Sequence, residues 1–132
     1  ALEVLSQVGD EVIASVSTTP SDGVMDQLGG SVTIVRDERP GMGPIGGLLY
    51  SFRVACGDYV AVAPCDAPFI ERGLFDLLFE MAEDRDGAVP RVGGYFEPLS
   101  AVYHRERYLE ALERTVDAGL FNSASTFDVY CA

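Results

Sequence analysis

The chain has 132 residues, 48% of them hydrophobic, and its 9 basic and 21 acidic side chains give a net charge of −12. This length and hydrophobic content fit a single folded domain over 1–132 and exclude a disordered chain. The acidic balance excludes a non-specific nucleic-acid binder, which needs a basic surface to neutralise phosphates.

The sequence also argues against a membrane or secreted protein. No apolar stretch approaches the roughly 20 residues that a membrane-spanning helix requires. The first residues, ALEVL, lack the basic segment and long apolar run of a secretory signal. The three cysteines (Cys56, Cys65 and Cys131) form no C-x-x-C pair and are odd in number, so they predict reduced thiols in a cytoplasmic protein.

The hydrophobic pattern predicts strands alternating with helices along the chain. The predicted elements, in order, are helix 1–8, strand 11–17, helix 24–28, strand 31–36, helix 46–56, strand 59–63, helix 74–83, an extended piece at 88–90, strand 99–103 and helix 106–118. Residues 119–132 have only a weak pattern.

This alternation predicts an α/β fold in three layers, with a mostly parallel central sheet and helices on both faces. A right-handed crossover through helix 46–56 would place strands 31–36 and 59–63 in one sheet. Such folds usually open with a strand, whereas this chain opens within the first helix. The amino-terminal strand is therefore expected to be missing from residues 1–132.

Two aspartates follow predicted buried strands, Asp37 after strand 31–36 and Asp66 after strand 59–63. In open parallel sheets, ligands bind at the carboxyl ends of the strands. The two strand ends would lie about 5 Å apart as neighbours, or about 10 Å apart with one strand between them. Both spacings let Asp37 and Asp66 reach one ligand.

Each candidate also has a purely structural interpretation. Asp66 could cap the helix that follows Pro68, and Asp37 could be a solvated turn residue paired with Arg36 or Arg39. The loop 40–47 contains four glycines, and it could offer backbone N–H groups to an anion or only permit tight turns. The sequence shows no partner residues that would support catalysis by Cys65 or His104. We expect Cys65 to be buried by packing and His104 to lie at the end of a strand.

Three segments together resemble the molybdenum cofactor guanylyltransferases. They are 37–47 (DERPGMGPIGG), 62–69 (VAPCDAPF) and 97–103 (EPLSAVY). The resemblance runs from about residue 11 to residue 112. It implies a Rossmann-like nucleotidyltransferase fold and transfer of GMP from GTP to molybdopterin, which forms a guanine dinucleotide cofactor and releases pyrophosphate.

The resemblance also assigns roles to individual residues. Asp66 would hold Mg²⁺ at the catalytic centre and contact the nucleotide, and Asp37 would bind the guanine nucleotide. Gly43 and Gly47 would allow the backbone to approach that nucleotide. The family's opening glycine-rich loop and its lysine, which hold the triphosphate, are not found in 1–132, so the site is at best half present in these residues.

Three alternatives stay open at this point. A related nucleotidyltransferase could use another acceptor, such as a cobinamide phosphate, a sugar phosphate or a methylerythritol. A nucleotide-binding regulatory relative without turnover would fit the absent phosphate loop. A receiver-like domain phosphorylated on Asp66 would leave the glycines between 41 and 47 unexplained.

Overall fold

The structure, a computed structural model, describes residues 11–16, 32–36, 44–64 and 72–131. Within these ranges it contains seven strands and four helices. In chain order they are β1 (Val12–Val16), β2 (Val32–Arg36), α1 (Pro44–Val54), β3 (Tyr59–Val62), α2 (Arg72–Ala82), β4 (Gly87–Ala88), β5 (Arg91–Val92), β6 (Tyr95–Phe96), β7 (Ala101–His104), α3 (Arg105–Asp117) and α4 (Ser123–Cys131). None of the helices in the described ranges is long and apolar enough to cross a membrane.

The described strands form three hydrogen-bonded groups. β1 and β2 pair in parallel, with Val12 opposite Val32 and Val16 opposite Arg36. β7 lies between β3 and β4 and runs antiparallel to both, so β3 and β4 are parallel to each other. β5 and β6 form a separate antiparallel hairpin.

The α/β class with three layers is confirmed, because helices cover both faces of the β3–β7–β4 sheet. On one face, α1 and α3 bury their apolar side chains against Val62, Ala101 and Tyr103. On the other face, α2 packs against Val102. Alternate side chains of β7 thus lie on opposite faces of the sheet and pack against different helices, as the period of two in a strand requires.

The expectation of a mostly parallel sheet holds in the described residues only for β1 with β2 and for the relation of β3 to β4. Strands β2 and β3, expected in one sheet, belong to different hydrogen-bonded groups there. The physical reason for the antiparallel strand is the connection before β7. The chain leaves β4, turns through the β5–β6 hairpin and returns in the opposite direction.

The core against α1 and α3 is unusually rich in tyrosine. The rings of Tyr103 and Tyr108 stack with centroids 3.8 Å apart, and Tyr130 contacts both edge-on. The Tyr103 hydroxyl donates a hydrogen bond of 2.5 Å to the Pro98 carbonyl. The buried hydroxyl of Tyr108 has no hydrogen-bond partner among the described residues.

These tyrosines predict a loss of stability in alkaline solution. Burial raises the pKa of Tyr108 from 10.0 to about 12 and also raises the pKa of Tyr103 and Tyr130. The folded state therefore holds these protons more tightly than the unfolded chain. The free energy of unfolding should be unaffected by them below pH 10 and should fall as the pH rises from about 10 to about 12. Denaturant titrations across this range measure the fall.

Two phenylalanine substitutions separate the hydroxyls of the stacked pair. Tyr103→Phe removes the hydrogen bond to Pro98, so we expect it to lower the free energy of unfolding by about 1 kcal/mol at pH 7. Tyr108→Phe removes a buried hydroxyl without a partner, and that variant should be at least as stable as the wild type and lose less stability at high pH. Equal destabilisation by both substitutions would contradict this interpretation.

The last helix, α4, was not predicted. It packs on α3 through a contact of 3.1 Å between the hydroxyl oxygens of Thr115 and Thr126, both buried. Thr115 also donates a hydrogen bond to the Ala111 carbonyl. Among the residues of α4 whose burial is described, Thr126 is buried and Phe127, Val129 and Tyr130 are half-buried, so the apolar stripe of this helix is weak in the sequence.

Candidate functional site

The parallel pair β1 and β2 fixes one part of the candidate site. Because Val16 lies opposite Arg36, the segments after both strands leave the sheet at the same edge. Asp37 is the residue directly after β2, which makes this the carboxyl edge at which a ligand was expected. Asp37 itself lies outside the described residues, so its proposed contact with a nucleotide stays a prediction.

Helix α1 begins at this edge, two residues before its predicted start. Pro44 occupies the first helical position, where its fixed φ and missing N–H suit a helix start. Ile45, Leu49 and Phe52 then recur at helical spacing and are all buried. The first turn carries no acidic side chain, so its free N–H groups and partial positive charge are not neutralised by the helix's own residues.

Gly47, one of the predicted nucleotide-binding residues, lies where α1 approaches β1. A Cβ atom added there would overlap the Ser15 hydroxyl oxygen and would lie 3.1 Å from the Ser15 Cβ. Glycine therefore allows close packing of the helix on the strand, and a larger residue would force Ser15 or the helix to shift. This packing does not test the predicted contact between Gly47 and a nucleotide, which stays a prediction. The predicted contact of Gly43 also stays a prediction, because Gly43 lies outside the described residues.

The sign of the change in the free energy of unfolding caused by Gly47→Ala should reveal this close approach. Alanine normally stabilises a helix interior by up to about 1 kcal/mol relative to glycine. Here the added methyl group meets Ser15, so we expect a loss of about 1–3 kcal/mol in the free energy of unfolding. Thermal or denaturant unfolding of the variant gives the measurement.

Gly73→Ala in α2 is the matched control, since a Cβ there would meet nothing within 4 Å. This variant should be neutral or slightly stabilised. Ser15→Ala combined with Gly47→Ala should recover part of the loss, because it removes the overlapping oxygen. If the stability changes of the two single substitutions simply add in the double variant, Ser15 is not the residue that the added methyl group meets.

The carboxyl end of β3 forms the second part of the site. Val62, the last residue of β3, pairs with Ala101, the first residue of β7. The loop before β7 therefore lies at the edge where β3 ends, and the Tyr103 hydroxyl holds this loop through Pro98. Asp66 follows two residues after Pro64, the last described residue of this segment. Asp66 and Cys65 lie outside the described residues.

The β5–β6 hairpin projects from this same edge and was not predicted. Ala88 of β4 pairs with Val102, so the chain leaves β4 beside the end of β3. The Glu97 N–H donates to the Pro90 carbonyl at 2.9 Å and closes the base of the hairpin. At the tip, Gly93 and Gly94 have φ of 58° and 88°, as a tight two-residue turn requires. The Gly-Gly pair was the signal available in the sequence.

Two of the four ion pairs between described side chains, Arg105 with Glu106 and Arg107 with Asp86, lie at the opposite edge of this sheet. Arg107 pairs with Asp86 at 2.8 Å, and Arg105 donates a hydrogen bond to the Gly57 carbonyl. His104 ends β7 there, with its ring 5.4 Å from that of Tyr59, which confirms its predicted place at a strand end.

The described residues contain no group of three or more histidine, cysteine, aspartate or glutamate side chains that could hold a metal ion. A Mg²⁺ ion usually takes one or two protein carboxylates together with phosphate oxygens and water. The donor set therefore fits Mg²⁺ only if Asp66 supplies the carboxylate. Asp66 lies outside the described residues, so the assignment of Mg²⁺ to it stays a prediction.

Comparison with known families gives a match over almost the whole chain. The model of the MobA-like NTP transferase domain matches residues 1–125. A probable molybdenum cofactor guanylyltransferase of Natronomonas pharaonis is 39% identical over 88 residues, which cover 67% of this chain and 44% of that protein. A protein of the same description from Methanosarcina acetivorans is 36% identical over 132 residues, covering 95% of this chain and 58% of its own length.

A solved structure shares the fold at lower identity. The molybdopterin-guanine dinucleotide biosynthesis protein A of Archaeoglobus fulgidus superposes with a TM-score of 0.69 at 21% identity, covering 88% of this chain and 58% of that one. This likeness supports the α/β architecture described above. The chain spans about half the length of the curated relatives that it matches.

Proposed function

Because the chain belongs to the MobA-like NTP transferase domain family, we propose that the protein transfers GMP from GTP to molybdopterin. In this reaction a phosphate oxygen of molybdopterin attacks the α-phosphorus of GTP. The bond between the α-phosphorus and the bridging oxygen breaks, and pyrophosphate leaves. The observation that carries the proposal is the similarity to the two relatives described as probable molybdenum cofactor guanylyltransferases.

The fold supports a division of this site between two strand ends. Asp37 follows β2 at the edge where α1 begins, and we assign it to the guanine nucleotide together with Gly43 and Gly47. Asp66 follows β3 near the loop that precedes β7, and we assign it to the reacting phosphates. The amino end of α1, with no acidic residue in its first turn, favours an anionic ligand between them.

We assign Mg²⁺ to Asp66. The ion would supply charge neutralisation at the phosphate groups of GTP. The protein's own contribution is to hold GTP and the acceptor in line, which removes much of the entropic cost of bringing them together.

The test uses the full-length protein that carries this chain. GMP transfer from GTP to molybdopterin should be detected with Mg²⁺ present, together with equimolar pyrophosphate, and ATP or CTP should replace GTP poorly. Equal transfer from all three nucleotides would contradict the guanylyl assignment. Pyrophosphate release that does not require molybdopterin, but does require a sugar phosphate or a cobinamide phosphate, would favour the alternative acceptors.

A further inference from the structure

The two faces of the β5–β6 hairpin have different surroundings. Directly opposite residues of a hairpin share a face, and the pairs here are Arg91 with Phe96 and Val92 with Tyr95. The Phe96 ring contacts the Phe127 ring of α4 at 5.1 Å, and the Arg91 guanidinium lies over the Phe96 ring at 5.6 Å. This face contacts α4 through the Phe96 ring, although the Phe96 side chain is still 51% exposed.

The opposite face carries Val92 and Tyr95, which are 61% and 78% exposed. We call these two side chains the hairpin platform. A hairpin of this size would be pliable in isolation, but this one is closed at its base by the hydrogen bond between Glu97 and Pro90. It is also held on one side by the contact between Phe96 and Phe127. The platform is therefore an exposed apolar surface on a hairpin with two attachments to the rest of the protein, and it projects from the edge where β3 ends.

We propose that the hairpin platform binds the flat heterocycle of the acceptor, with the Tyr95 ring stacked on the pterin of molybdopterin. This assignment rests on the proposed function for the identity of the acceptor. The proposed function assigns the guanine nucleotide to β2 and the start of α1, and the reacting phosphates to Asp66 after β3. The edge beside β7 and β4 is left for the second substrate. An aromatic ring recognises a planar heterocycle by its π-face and needs no charge.

Size favours a small ligand over a protein partner on this platform. A stable protein interface removes about 800 Å² from each partner, whereas one buried aromatic side chain supplies about 150–250 Å². Val92 and Tyr95 together provide too little area for such an interface. They suit a bicyclic ring, whose own faces have a comparable area.

The first test is direct binding of free pterin to the full-length protein, followed by pterin fluorescence. Tyr95→Ala should weaken pterin binding about 10-fold, as expected for the loss of one stacked ring. Tyr95→Phe, which keeps the ring, should bind pterin like the wild type. Leu77→Ala is the matched control, because Leu77 is an apolar residue of α2 with 51% exposure, and it should leave binding unchanged.

The second test is steady-state GMP transfer. Tyr95→Ala should raise the KM for molybdopterin about 10-fold and leave the KM for GTP unchanged. If the wild type binds pterin through Tyr95 but transfers no GMP, the proposed function fails and the platform assignment stands. Equal pterin binding by wild type and Tyr95→Ala, or no pterin binding by the wild type, overturns the platform. A variant that changes only the oligomeric state identifies the hairpin as a protein contact and also overturns it.

Discussion

Asp66→Asn in the full-length protein is expected to lower kcat for GMP transfer by about three orders of magnitude, a loss of about 4 kcal/mol in transition-state stabilisation. The proposed carboxylate brings a hard cation to the phosphate groups, and an amide of the same shape carries no charge for that purpose. The measurement is the rate of pyrophosphate release with GTP and molybdopterin at saturation, compared at several Mg²⁺ concentrations. High Mg²⁺ should restore part of the activity.

Asp58→Asn is the matched control for this substitution. Asp58 is an exposed aspartate at the opposite end of the same strand, just before Tyr59, where it accepts a hydrogen bond from the Arg105 N–H through its backbone carbonyl. Its side chain has no role in the proposed site, so the variant should retain wild-type kcat and KM. An Asp66→Asn enzyme with normal kcat would show that the carboxylate after β3 has no part in the chemistry.

Phe52→Ala is expected to cost about 3–5 kcal/mol of stability, which is a large part of what a domain of this size possesses. Phe52 is 1% exposed and lies in the cluster that joins α1 to β3, β7 and α3. Its ring contacts the Tyr108 ring at 5.0 Å. The loss should be measured by denaturant unfolding, with an unchanged dependence on denaturant concentration if the unfolding remains two-state.

Phe121→Ala tests whether this cost arises from burial. Phe121 is a phenylalanine with 43% exposure after the end of α3, and its replacement should change the free energy of unfolding by no more than about 0.5 kcal/mol. Similar losses for the two variants would mean that the cluster around Phe52 does not form the main core.

Because α1 also carries Gly47, Phe52→Ala should in addition weaken GTP binding by loosening the helix.

The sequence predicted the elements whose hydrophobic period is strong. Helix α1 was expected at 46–56 and lies at Pro44–Val54, and α3 was expected at 106–118 and lies at Arg105–Asp117. The early start of α1 follows from Pro44, which suits a first helical position. Helix α4 and the hairpin were not predicted. The described buried residue of the helix is the polar Thr126, and the hairpin strands have two residues each, which is too few to show a period.

The candidate site was predicted through the order of elements and through motifs, not through geometry. The carboxyl ends of β2 and β3 were correctly identified as strand ends. What could not be predicted was that the hairpin would project beside β3, because this depends on the antiparallel return of β7. The packing of Gly47 on Ser15 was also hidden, since it joins residues from different elements. Of the four predicted site residues, only Gly47 lies in the described part of the chain.

The central position of β7 has a consequence for the order of events during synthesis. Val62 cannot pair with Ala101 until the ribosome has added Ala101, which lies 39 residues further along the chain. At about 5–20 residues per second, the ribosome needs roughly 2–8 s to add that stretch. During this interval β3 and β4 have no strand between them, and the apolar faces that α1 and α2 will cover stay open. The nascent chain therefore passes through a period of several seconds in which chaperone binding competes with aggregation, and it ends when β7 emerges.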